Sequence, residues 1–448
     1  MPKIKSPYTS KVNAVVHKYN SEFKSTPTGE LYCRLCDYTV KCEKQFMVES
    51  HRKSEKHQRG LARTATNFAE NVTRAFLCAD IPLHKLTNSH IKTLFHDLGH
   101  PLPSETACPS KVQKLADQEI QQLKNYLKDE DVFMVVDESE IDQRKFLNIL
   151  VGKMTVPETT YIFTCKTLSK YADSDIVTRE IDDAVHCLGI ARHHFCLLMT
   201  DAATYMTAAG NLLKKLYPKL FHVICLAHLL HNCAMKVRAC FPAVDDLIAR
   251  VKALAVKNKA RRALFSSIGQ PPQPVVTRWA SWWQAAFYYT KNLPEVRRIV
   301  EHLGDGGILL QQAKEALKSQ TLSAQLLQIE EQYSDLANIV LKMESSRYTM
   351  GQAYEDVLSL DLGADSCAIK AYMQRKLTKN DVTCIMSMGR NDISPHLYKL
   401  LQNSQATSAS VERSFSILKK ILAEDRNFGE GHEKHYLIVK YNNANKAQ

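Results

Sequence analysis

Residues 132–137 read VFMVVD: five consecutive apolar residues, then a carboxylate. Such a run is too short for an isolated helix and has no polar alternation. It predicts a strand buried on both faces. Working outward, KFLNILVGKM (145–154) and TTYIFTCKTL (159–168) are two more strand candidates, joined by a short loop with Pro157. IVTREIDDAVHCLGI (176–190) has helical spacing. HFCLLMTD (194–201) is again a buried run ending in Asp. AATYMTAAGNLLKKLY (202–217) predicts a helix and FHVICLAH (221–228) a fifth strand.

The predicted order is β-β-β-α-β-α-β, the topology of ribonuclease-H-like nucleases. In such a sheet the strand ends carrying Asp137 and Asp201 lie side by side. Two carboxylates there can hold Mg²⁺, which activates water and stabilises a leaving oxygen in phosphodiester chemistry. Asp after a strand is also a common turn former, and Asp131, Glu138, Glu140 and Asp142 crowd the first position. Residues 231–393 read mostly helical, interrupted by QPPQPVV (270–276) and GDGG (304–307). The fold class expected is an α/β ribonuclease-H-like core (131–230) with an all-α insertion (231–393) and a completing C-terminal region (394–448).

Toward the N-terminus, Cys33-x2-Cys36 followed by His51-x5-His57 is a C2H2 arrangement, the donor set of tetrahedral Zn²⁺. A Cys-x2-Cys turn lets two thiolates grip one ion, and the wide His spacing asks for a bent or loosened helix. This predicts a small zinc finger of the BED or U1-like type over 31–64, with Zn²⁺ as its cofactor. Residues 1–30 read as a basic arm, and 65–130 as a helical DNA-binding or linker region. A tighter group, Cys225, His228, His231 and Cys233, sits in one strand-to-helix corner and is not expected to hold a metal.

The chain of 448 residues is 45% hydrophobic and carries a net charge of +12. The charge is uneven. Residues 1–63 hold 13 Lys and Arg against 6 Asp and Glu, and residues 202–262 hold 11 against 2. Two basic zones imply a polyanion partner, double-stranded DNA being the simplest; a solvated lysine surface is the plainer alternative. Candidate contacts are Arg52, Lys53 and Lys56 on the finger and Lys252, Lys257, Lys259, Arg261 and Arg262 beyond it. The start, MPKIKSPYTSK, has no apolar segment, so no secretory signal is expected. The most apolar run, 221–235, is broken by His222, His228, His231 and Asn232, which argues against a membrane span. Thirteen scattered cysteines then read as reduced thiols or metal ligands of an intracellular protein.

ATSASVERSFSILKKILAEDRNFGEGHEKHYLIVKYN (406–442) resembles the C-terminal signature of hAT-superfamily transposases, with Ser410, Glu412, Arg413, Phe415 and Ser416 as its core. DESEIDQRKFLNILVG, LLMTDAATYM, CLAHLLHN and TRWASWW resemble further blocks of that family in order. The resemblance implies Asp137, Asp201 and Glu412 as catalytic magnesium ligands, with Cys225 and His228 beside them and His228 near the scissile phosphate. It implies Trp279, next to Arg278, as an aromatic that stacks on a displaced DNA base; its neighbours Trp282 and Trp283 make a core role equally open. The finger with FLCADIPLHKLTNSHIKTLF (76–95) resembles the vertebrate CGG triplet repeat-binding protein. Together these imply a nuclear, transposase-derived DNA-binding protein that regulates transcription or chromatin, or else an active transposase. The apolar residues of 395–442, from Leu397 to Val439, exceed what one short helix needs. They predict dimerisation, with the YLIVKY segment exchanged between chains.

Overall fold

The computed structural model describes residues 7–98, 102–104, 107–169, 171–257, 259–272, 281–304, 307–343, 348–360, 376, 380–388, 393–424 and 431–446. The chain forms two compact units, Met1–Asp117 and Gln118–Gln448.

The first unit opens with helix α1 (Pro7–Lys18) and strands β1 (Phe23–Ser25), β2 (Leu31–Cys33) and β3 (Tyr38–Val40). They form an antiparallel sheet in the order β1-β2-β3. Helices α2 (Gln45–Lys53), α3 (Glu55–Cys78) and α4 (Ser89–Asp97) follow, then α5 (Cys108–Tyr126), within which the division between units falls. Residues 7–30 are therefore no separate arm. Val12 of α1 and Phe23 of β1 are wholly buried among Leu31, Cys33, Cys36, Val40, Cys42 and Val48. The reason is register: Phe23 lies opposite Cys33 across the β1–β2 pair, which brings the N-terminal segment into the finger's own core.

The second unit is mixed α/β with a helical majority and one mixed sheet. Strands β4 (Val132–Ile141), β5 (Arg144–Lys153), β6 (Tyr161–Leu168), β7 (Phe195–Thr200) and β8 (Phe221–Ile224) pair in the order β6-β5-β4-β7-β8. β4, β5 and β6 are antiparallel, while β7 and β8 run parallel to β4. Helix α6 (Ser174–Leu188) enters through an Asp173 side chain that accepts from Ile176 N at 2.8 Å, and ends at Gly189, whose φ of 70° suits a residue without Cβ. α7 (Thr204–Leu216) links β7 to β8.

Alternation along the strands sets what faces what. Val132, Met134 and Val136 of β4 pack with Leu147, Ile149 and Val151 of β5 against Val177 and Ile181 of α6 and Met206 and Leu213 of α7. Asp137 is one step out of that register and so lies on the opposite face. The predicted strand 221–228 is shorter than expected. It stops at Ile224: Cys225 N makes the last rung, to Thr200 O, then Leu226 N turns to Ala406 O and α8 (Leu226–Ala239) begins.

After α8 the described residues are helical: α9 (Pro242–Val256), α10 (Lys259–Leu264), α11 (Ser281–His302), α12 (Gly307–Leu317), α13 (Leu322–Met343), α14 (Met350–Ser359), α15 (Asp381–Met386) and α16 (Pro395–Asn403). Helix α17 (Ala409–Glu424) returns to pack on β4 and β5, and α18 (Glu433–Lys446) packs on β6. No helix among the described residues is long and apolar enough to cross a membrane.

Leu437, Ile438 and Val439 of α18 are buried within the single chain. Phe415, Leu418 and Ile421 of α17 are too. Much of the apolar excess of 395–442 is thus packed within the chain, while Leu397 and Leu422 stay half-buried. Both outer strands are also covered by side chains from far along the chain. Asn442 of α18 accepts from Ile162 N at 2.8 Å and donates to Ile162 O at 3.1 Å on β6. Asp381 of α15 accepts from Ile224 N at 2.9 Å on β8. Asn442→Ala would leave two buried backbone groups unsatisfied. It is expected to cost roughly 2–4 kcal/mol, read as a lower urea midpoint at unchanged slope; an unchanged midpoint would mean that water replaces the amide freely.

Candidate metal centres of the two units

Cys33 ends β2, and Cys36 sits in the turn before β3, where Asp37 adopts a positive φ of 60°. His51 lies in the last turn of α2. Helix geometry then stops for one residue: Ser54 is extended (φ −62°, ψ 147°), and its hydroxyl accepts from His57 N at 3.3 Å to open α3. That break answers the wide His spacing, since it lets residues in successive helices face one point. The four ligand atoms lie within 4.8 Å of one another. His57 Nδ1 is 3.4 Å from Cys33 Sγ, 3.7 Å from Cys36 Sγ and 3.2 Å from His51 Nε2. Donors on one tetrahedral zinc stand about 3.3–3.8 Å apart given its usual bond lengths, so the group can hold that ion.

The protonation chemistry also fits. Burial, and the His57 ring beside it, hold His51 below the usual imidazole range, in the neutral form a metal needs. Burial and the Cys33 sulfur push the Cys36 thiol up to about 11, so a cation must displace its proton. Sequence reasoning missed two contributors, Glu22 and Tyr38. Glu22 Oε2 is 3.0 Å from His57 Nε2, and Tyr38 Oη is 3.0 Å from His51 Nδ1. Neither belongs to the Cys/His spacing, so no local signal marks them.

The second centre is built by three distant segments. Asp137 is on β4 opposite Asn148 of β5, and Asn148 donates to Ser414 Oγ of α17 at 2.8 Å. That contact seats the helix whose first turn carries Glu412. His228 is in the first turn of α8. One ligand atom each from Asp137, His228 and Glu412 lies within 4.8 Å of the others. His228 Nε2 is 3.6 Å from Glu412 Oε1, and its Nδ1 is 3.4 Å from Ser408 Oγ. Ser408 N also donates to Cys225 Sγ at 3.1 Å.

Asp201 follows β7 and accepts from Ala203 N at 3.2 Å. It is outside the close group, though its charge is felt there. Burial, then the neighbouring Glu412, raises the Asp137 carboxyl well above the usual carboxylate range, with Asp201 adding to it. Burial raises Asp201 as well. At His228 burial works downward, but hydrogen bonds to Cys225 and Glu412 and the charges of Cys225 and Asp137 outweigh it and lift the imidazole to about 11. Burial pushes the Cys225 thiol up, yet His228 outweighs that and leaves it below its ordinary value. The cluster is thus crowded with negative charge that His228 partly compensates. The carboxylates suit a hard divalent cation; a protonated imidazole does not ligate one.

The candidate DNA contacts differ in availability. Lys53 is exposed, and Lys56 is exposed with Nζ over the Tyr38 ring. Arg52 is engaged inward with Glu22 at 2.6 and 2.8 Å and with the Tyr19 ring. Lys257, Lys259 and Arg262 are exposed, while Arg261 is half-buried. Lys252 is half-buried and donates to Pro271 O at 2.8 Å. Arg278 and Trp279 lie outside the described residues. Trp283 is fully buried in α11, and Trp282 Nε1 donates to Asp245 Oδ1 at 3.2 Å.

Among families of known sequence, a model described as a domain of unknown function, DUF659, matches residues 106–254. That region is associated with hAT-type transposases, and the match accords with a hAT-related origin of the chain. It covers the sheet, with Asp137, Asp201 and His228, and ends before Glu412. No curated protein matches the chain.

Proposed function

We propose that the chain is a nuclear DNA-binding protein derived from a hAT transposase, in which a zinc finger and a ribonuclease-H-like core act on chromatin or transcription. The observation that carries this reading is the convergence of Asp137, His228 and Glu412 from β4, α8 and α17. A sheet of order β6-β5-β4-β7-β8, antiparallel in its first three strands and parallel in the rest, supports the same reading. The basic zones supply the attraction to the phosphate backbone.

A second reading is favoured by a specific feature: no acid of the site is replaced. Held by Asp137 and Glu412, with Asp201 at the margin of the group, Mg²⁺ would activate the attacking oxygen and stabilise the leaving one. His228 would then keep a proton beside the scissile phosphate. In this reading the chain is a working transposase that cleaves and joins DNA strands.

Selection of bound double-stranded DNA by the purified full chain tests the first reading, and a nicking assay with Mg²⁺ or Mn²⁺ on the selected site separates the two. Affinity is expected to fall steeply with salt. Replacing Lys257, Lys259 and Arg262 by Gln should flatten the log–log salt slope by roughly 0.9 for each phosphate that is no longer neutralised. An unchanged slope would show that α10 and its flank face away from DNA. Absence of any preferred sequence would overturn the reading itself.

A further inference from the structure

Glu22 is a carboxylate buried to 7% exposure in a small unit, a position that acids rarely occupy unless paired. Its two oxygens are fully assigned. Oε1 accepts from an Arg52 terminal nitrogen at 2.8 Å, and Oε2 accepts from Arg52 Nε at 2.6 Å and lies 3.0 Å from His57 Nε2. His57 is wholly buried, so the two nitrogens of its ring meet different neighbours with no solvent between. Nδ1 meets two thiols and an imidazole; Nε2 meets a carboxylate. A carboxylate accepts only, so the nitrogen facing it carries the hydrogen and the other offers its lone pair.

We propose that Glu22 is the positioning residue of the Cys/His site: it fixes the His57 tautomer and ring so that Nδ1 faces the cation. This rests on the zinc reading of Cys33, Cys36, His51 and His57. Arg52 has a supporting part. Its guanidinium lies 4.0 Å from the Tyr19 ring centre and holds the carboxylate in place, which gives it a role other than DNA contact. The Phe23 ring stacks on His57, with centroids 5.7 Å apart and planes 22° from parallel. Outer partners of this kind raise ligand basicity, and their loss costs metal affinity about 10–100-fold.

The test uses the full chain loaded with zinc. Chelator competition should give Glu22→Ala an affinity about 10–100-fold below wild type, with Arg52→Ala within a few-fold, because the His57 contact survives there. Equal losses in the two variants would mean that the ion pair merely holds the segment before β1 to α2, and would overturn the proposal; so would wild-type affinity in Glu22→Ala. Long-range ¹H–¹⁵N spectra of the zinc-loaded wild type decide independently of whether any variant folds. The proposal expects a slowly exchanging Nε2–H on His57 and a metal-bound Nδ1. Coordination through Nε2 would refute it. A wild-type chain that binds no zinc fails the underlying reading instead, and that failure is visible before any variant is made.

Discussion

Withdrawing zinc is expected to unfold residues 7–60 while the sheet of the second unit persists. The core of this module is a handful of side chains from α1, the three short strands and α2. So few residues do not bury enough apolar surface to offset the entropy of ordering the chain. A structural zinc in such a module contributes about 10–16 kcal/mol at neutral pH, so its loss is not survivable. Cys36→Ser should behave like chelation. Because the ion must displace thiol protons, affinity should also fall as pH drops. Amide exchange resolved by residue is the measurement. If residues 7–60 stay protected once bound zinc is removed, the apolar core suffices and the metal is not its organiser.

Asp137→Asn or Glu412→Gln should abolish metal-dependent nicking, by at least about a thousandfold, if the chain is a working transposase. DNA binding should be preserved. An amide of the same shape is a poor ligand for a hard cation, and nothing in the packing changes. A second consequence separates a catalytic carboxylate from a structural one. The folded state raises the Asp137 pKa, so it binds the proton more tightly than the unfolded chain does. Stability from this group is full below the unfolded pKa and is lost as pH rises through the folded one. At neutral pH its ionisation therefore opposes folding, and Asp137→Asn should melt higher than wild type in EDTA. A lower melting temperature would mean that the charge has a structural partner that the neighbouring acids conceal.

The second unit's sheet was legible because its strands are buried runs with sharp ends. VFMVVD and HFCLLMTD can be little else, and the helices between them carry their periodicity openly. The β8–α8 corner was not, since CLAH continues the apolar run and only the turn of Leu226 N to Ala406 O ends the strand. The Cys/His spacing disclosed the four side chains that converge in the first unit but not the extent of that unit. Tyr8, Val12, Val15, Val16 and Tyr19 do carry helical spacing and pack on this core. They are interleaved with Lys11, His17 and Lys18, so the polar and basic character dominates a reading of the segment. Glu22 is separated from His57 by the whole module, so its role exists only in three dimensions. The proximity of Glu412 to Asp137 and His228 followed from block resemblance rather than from any local pattern. The position of Asp201, outside the close group, had no sequence signal at all.

The hydrogen bonds that Asp381 and Asn442 make to β8 and β6 bear on how this protein can be cut. The stretch matched by the family model, 106–254, contains all five strands of the second unit's sheet yet neither of these two residues. Expressed alone, it would leave Ile162 and Ile224 without these partners on the two flanks, where strands of other molecules can add. Such a fragment is expected to come out of cells as insoluble aggregate. A soluble piece of this protein is expected to run from about residue 118 through α18, and its sheet is capped only once Asp381 and Asn442 have been synthesised. The sheet would thus emerge from the ribosome with its flanks open, and chaperones are the natural occupants during that interval.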